Sequence, residues 1–187
     1  PEGTGKLQEI LAAMKPDKWS LIAKTDRLIL ELGNKEYFKL GHDPAQHNNI
    51  RAKLRELARL VHQLREEKGK PNAFLQDFIR PSEFSAIVEA TRTIAGFNPN
   101  SNTYTTPSLA IKIGHSLHKC ATIMRGNSVE KGQKKEECNA DGFLKLYDIK
   151  WSSEVASHAH RTLYQLKRNQ SKNLPTTTDL TTFSKYI

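Results

Sequence analysis

Three groups of residues carry side chains capable of chemistry. His115-x-x-His118-x-Cys120, with Cys138 downstream, supplies zinc-type ligands. His158-x-x-Arg161, with Tyr164 and Tyr186 nearby, supplies a base, a cation and hydroxyl nucleophiles. Glu136 and Glu137 form an adjacent carboxylate pair. Helix geometry argues against the metal: at 100° per residue, His115 and His118 point about 60° apart, while Cys120 falls on an apolar stripe. Glu136 and Glu137 lie in a polar connector. A nucleophilic site needs a base and oxyanion donors in register, and a short His-x-x-Arg match supplies neither by itself. The sequence holds no Walker loop, G-x-G-x-x-G or G-x-S-x-G. No metal, no cofactor and no catalytic residue is therefore expected.

The other recurring chemistry is cationic. Arg51, Arg55, Arg59 and His62 recur at i, i+4, i+8 and i+11, one stripe beside the apolar face of a long helix. Lys112, His115 and Lys119 project together from another helix, with no acid anywhere between Tyr104 and Arg125. A third stripe runs through His158, Arg161, Gln165 and Arg168, with Lys167 and Lys172 adding charge. Guanidinium and ammonium groups match phosphate oxygens. Arg51, Arg55, Arg59, Lys112, His115, Lys119, Arg161, Lys167, Arg168 and Lys172 are accordingly the candidate nucleic-acid contacts. The competing expectation is a set of solvated faces whose aliphatic stems cover core edges.

Helices must position these stripes. Residues 5–14 predict a short helix ended by Lys15-Pro16. Asp17 can cap the next, and Thr25 or Asp26 the one after, with Gly41 as its stop. Residues 49–68 form the longest periodic run, with Ile50, Leu54, Leu57, Val61 and Leu64 on one face. A short helix follows over 72–79, then one from Pro81 to the C-cap Gly96. Thr106-Pro107 opens a helix expected to reach Arg125, with Gly126 past its end. Its buried stripe is Leu109, Ile113, Leu117, Cys120 and Met124. Residues 126–137 read as a solvated connector, 135–150 as a helix, and Ser152 or Ser153 as the cap of the next. That helix turns Val155, Ala159, Leu163 and Leu166 inward. A last helix is expected from about Thr178. No segment alternates like a strand. Trp19, Trp151, Phe78, Phe84, Phe97, Phe143 and Phe183 are expected in the core.

With 187 residues the chain is long enough to bury a core unaided. Helix formers outweigh β-branched residues, so an all-α fold is expected. The one candidate boundary is "KGKPN", residues 68–72, dividing 1–70 from 71–187 of an otherwise single helical domain. Two cysteines without a C-x-x-C pair suit a reducing compartment. No apolar run approaches the roughly 20 residues that span a bilayer. The opening "PEGTGK" is no signal peptide and reads as the edge of a longer protein. The formal net charge of +9, with a pI near 9.6, favours polyanionic partners.

The phrases "TYTTPSLAIKIGHSLHKC" and "LARL" carry a resemblance, as do "AKTDRLILELG" and "WSSEVASHAHRTLYQLKRN". From about Lys18 to its end the chain resembles a set of uncharacterised proteins of fish and marine invertebrates that derive from mobile elements. In them this region precedes a tyrosine-recombinase-like domain. The resemblance implies a helical region like the core-binding domain, which clamps DNA opposite a catalytic domain. It places the family's catalytic residues in that later domain, so His158 and Arg161 are not carried over. The chain exceeds a minimal clamp in length, which leaves the place of residues 1–70 open. The combined expectation is an all-α, core-binding-domain-like bundle of about seven to nine helices. It would bind DNA, duplex rather than single-stranded or RNA, without catalysis, in the nucleus. A homo-oligomer is compatible with it, and a membrane partner is not expected. The alternative is a protein-interaction or oligomerisation domain.

Overall fold

Two aspartates turn the chain into its first packed helices. The structure, a computed structural model, describes the backbone of residues 3–172 and the side chains of residues 5–171. Helix α1 covers Gly3–Ala12, and α2 covers Lys18–Thr25. The Asp17 carboxylate accepts from the Ser20 N–H at 2.9 Å, while the Asp17 N–H donates to Ser20 Oγ at 3.0 Å. Two donors of that helix end are thus satisfied reciprocally. Asp26 rather than Thr25 caps α3, Arg27–Leu40. Its Oδ1 accepts from the N–H groups of Leu28 and Ile29. Its Oδ2 accepts at 2.7 Å from the N–H of Leu75, 49 residues away. Burial pushes this carboxyl above the usual carboxylate range, against the pull of the three backbone donors.

A 3₁₀ turn, Pro44–Gln46, leads into α4, His47–Lys68. Gly69, in the left-handed region at φ 60°, ends that helix. A single turn α5, Leu75–Phe78, and a 3₁₀ turn, Pro81–Glu83, precede α6, Phe84–Ala95. Gly96, at φ 68°, ends α6, as its position predicts. A hairpin of two-residue strands follows, with β1, Phe97–Asn98, antiparallel to β2, Thr103–Tyr104. The sequence held too few residues there for an alternation to register. The hairpin carries the chain into α7, Pro107–Glu130. Thr106 makes no side-chain cap, and its N–H donates instead to Ala95 O.

The fold is all-α, with nine α-helices among the described residues and almost no strand. Helices α4 and α7 lie at its centre. Helix α4 packs on α2, α3, α6 and α7, and α7 packs on α8, α9 and α3 as well. The α4 residues Ile50, Leu54, Leu57, Val61 and Leu64 are all buried, as are Ile113, Leu117 and Cys120 of α7. The buried cluster runs continuously from Leu7 to Ala159, across residues 68–72. Trp151, Phe78, Phe84 and Phe143 belong to it, whereas Trp19 and Phe97 pack against its edge. Phe183 and the helix expected from Thr178 lie outside the described residues.

The structure departs from expectation after residue 125. Helix α7 continues through Gly126 to Glu130, because Met124 and Ser128 prolong its buried face. Ser128 Oγ donates to Met124 O, and the Asn127 amide donates to Glu31 at 2.5 Å. The actual stop is Gly132 at φ 66°. Helix α8, Lys134–Leu146, then passes without a break into a π-helical segment, Tyr147–Ala156, and on into α9, Ser157–Lys172. Ser152 and Ser153 therefore cap nothing, and Ser157 Oγ donates back to Ser152 O at 2.6 Å. Wide π turns advance the Trp151 ring onto α7, where Gly114 receives it. Val155 of the π-helical segment and Ala159 of α9 point inward as expected and Leu163 is half-buried, but Thr162 takes the buried place expected of Leu166, which is 45% exposed.

A Cβ at Gly114 would overlap the rigid Trp151 indole, while one at Gly126 meets nothing within 4 Å. Gly114→Ala should therefore cost about 1–3 kcal/mol in denaturant unfolding. Gly126→Ala, inside the same helix, should stabilise by roughly 0.4–1 kcal/mol.

Candidate nucleic-acid interface

The arginine stripe of α4 faces α2. Arg55 pairs with Asp17 at 2.5 Å, and donates to Lys15 O at 3.2 Å. The hydrogen bond from Arg55, helped by the Ser20 N–H, holds the Asp17 carboxyl below its ordinary range. The guanidinium groups of Arg55 and Arg59 lie 5.6 and 5.4 Å from the Trp19 ring centroid, within cation–π reach. Arg51 donates to the Asn48 side chain. All three arginines are half-buried. Much of this stripe serves to dock α2 on α4.

The basic face of α7 opens onto a cleft of about 340 Å³ between α4 and α7. Lys112, His115, Ser116 and Lys119 line one wall, and Asn49, Ala52, Lys53 and Glu56 the other. Glu36 of α3 accepts from Lys119 at 2.7 Å and from Lys53 at 2.6 Å, and its own side chain is only 7% exposed. Burial alone would push this carboxyl up, but the hydrogen bonds from Lys119 and Lys53 outweigh it and hold the group low. Glu56 lacks such partners, and burial pushes its carboxyl up despite the fields of Lys112, Arg59 and Lys53.

Helix α9 bears the third stripe. Its first half packs on α7 and the hairpin, with Thr162 Oγ1 accepting from the Tyr104 N–H at 3.3 Å. His158 stacks on Phe97 at 5.8 Å, while Arg161 points to solvent. Every described side chain from Tyr164 to the end of the helix is exposed. Among the described residues no carboxylate lies within ion-pairing distance of Arg161, Lys167 or Arg168. The Lys172 side chain and Tyr186 lie outside the described residues.

The three stripes do not form one sheet of charge. On α4 the arginines and the cleft-lining residues are centred roughly 110° apart. The zinc-type residues also part company. His115 faces the cleft, His118 meets Tyr147 edge-on at 5.1 Å, and Cys120 is fully buried, which pushes its thiol pKa up. Cys138 is exposed on α8. Among the described residues no three His, Cys, Asp or Glu side chains are grouped to hold a metal ion. No helix there is long and apolar enough to cross a membrane.

Sequence reasoning missed Lys53, Glu56 and above all Glu36. A signal for Glu36 existed: with Ile29, Leu32 and Gly33 it falls on the buried stripe of α3, and a carboxylate on such a stripe needs cations. Comparison of the chain with models of known protein families, with curated proteins and with solved structures gives no match.

Because the folded Glu36 pKa lies below its unfolded value, its contribution to stability is present above the unfolded pKa and is lost as pH falls through the folded one. Glu36→Gln should thus destabilise at pH 7 by roughly 2 kcal/mol. Its difference from the parent in urea midpoint should shrink once the pH drops below about 4.

Proposed function

We propose that the chain is a non-catalytic helical module that binds duplex DNA in the nucleus. In this reading it works like the core-binding region of recombinase-like, element-derived proteins, which its sequence resembles. The observation that carries the reading is α9. It exposes Arg161 on the outer side of its packed half and Lys167 and Arg168 on its fully exposed outer half, contains no acidic residue, and meets no carboxylate at these cations among the described residues. Phosphate contacts of this kind position a protein on DNA and read little sequence. The net charge of +9 supports the same partner by steering. Arg51 and Arg59 contribute little, since both are half-buried, Arg59 over the Trp19 ring and Arg51 on the Asn48 side chain. Arg55 and Lys119 contribute little, since each is already held by a carboxylate at 2.5 and 2.7 Å respectively.

A second reading has its own support. Tyr164, 66% exposed, and Leu166 share the outer part of α9 with the cations, and Phe38 on α3 is 93% exposed. Such side chains suit a protein partner or self-association.

Duplex affinity should fall with rising salt. Changing Arg161, Lys167 and Arg168 to Gln should weaken it and flatten the salt slope by about 0.9 for each phosphate contact removed. No measurable binding at low salt, together with a dimer by light scattering that Tyr164→Ala disperses, would transfer the assignment to the second reading.

A further inference from the structure

The α4–α7 cleft is concave where the α9 surface is convex. Its volume of about 340 Å³ is that of a small-molecule site. Helices in contact lie only 8–10 Å apart, too close to admit a duplex between them. Three lysines line the cleft, Lys53 on one wall and Lys112 and Lys119 on the other. Two of them, one from each wall, donate to the same Glu36 carboxylate, which holds those side chains in place. Lys112 has no carboxylate within 4 Å among the described residues, and it is exposed at the mouth. One turn further along α7, Ser116 is 2% exposed yet lines the cleft, and its hydroxyl makes no hydrogen bond among the described residues. Its fellow buried helical hydroxyls behave otherwise: Thr91 and Ser128 donate to the carbonyl four residues back. Across the gap, Glu56 accepts no hydrogen bond and no ion pair among the described residues, although it is half-buried.

We infer that this cleft binds a small organic phosphate, a phosphate monoester whose body carries hydroxyl groups. The phosphate would sit between Lys112 and Ser116, beside Lys53 and Lys119, whose charge Glu36 partly offsets. Lysines suit it as compact point charges. A ligand hydroxyl would donate to Glu56, whose half-buried carboxylate has no protein partner among the described residues. Ala52 and the lysine stems supply the apolar wall. The site does not depend on α9, so it stands or falls apart from the DNA reading.

The test is titration of the chain with ribose 5-phosphate, followed by backbone amide NMR, to about 10 mM, where a millimolar site is saturated. Saturable shifts confined to residues 49–56 and 112–119 are expected. Inorganic phosphate should give the same pattern more weakly, because it lacks the hydroxyl body. Lys112→Ala should weaken ribose 5-phosphate about tenfold, the usual scale for a lost charged hydrogen bond. Ser116→Ala, nearly isosteric, should weaken it without altering the fold. The Gln variants at Arg161, Lys167 and Arg168 should leave it unchanged. Shifts that stay linear in ligand, spread onto α9, or persist undiminished in both Lys112→Ala and Ser116→Ala would overturn the inference. So would a cleft that responds to a short duplex and to neither phosphate.

Discussion

One carboxylate, Glu36, accepts hydrogen bonds from two ammonium groups on different helices, and so ties α3, α4 and α7 together at a single point. The arrangement follows from where Glu36 stands on α3. It occupies the same stripe as Ile29 and Leu32, which must turn inward. A charge brought there loses its water, and cations must replace it. Lys53 and Lys119 do so from opposite sides. Both residues also line the α4–α7 cleft, and much of their charge is offset locally. What the cleft can offer a ligand is set by the residues left over: Lys112, His115, Ser116 and Glu56.

The same competition for counter-charges sorts the rest of the basic surface. Arg55 is taken by Asp17, a residue that already caps α2, so one carboxylate both starts a helix and docks it. Arg59 lies over Trp19 and covers an aromatic edge of the core. A row of arginines on a helix wheel is thus an interhelix seam for much of its length. On α9 no such competition arises among the described residues, because the helix outruns the body it packs on. Net charge says how many cations exceed the anions. Packing decides which of them still face solvent.

Helix ends were legible where the deciding atoms were local. Asp17 and Asp26 cap, and Gly96 ends α6 in the left-handed region, because each needs only neighbours within a few residues. The buried stripes of α4 and α7 followed from spacing for the same reason. Gly126 misled because a glycine past an apolar run is a stop only if the run has ended, and Met124 and Ser128 still had a core to face. The π-helical segment had no local signal. It accommodates Trp151 against Gly114, two residues far apart in sequence, and their fit is a property of the packed molecule.

By itself, the sequence determined that the chain folds as helices, which residues line the apolar faces of α4 and α7, and that cations outnumber anions. Each of these depends on residue type and on a period of 3.6 residues. Tertiary structure alone decided which cations are neutralised, that Lys53 and Glu56 join Lys112 and Ser116 around one cleft, and that α7 runs past its glycine. The reason is common to all three. An ion pair, a cleft wall and a helix end beside a core are each settled by side chains from different helices. Their distances exist only once the helices have packed.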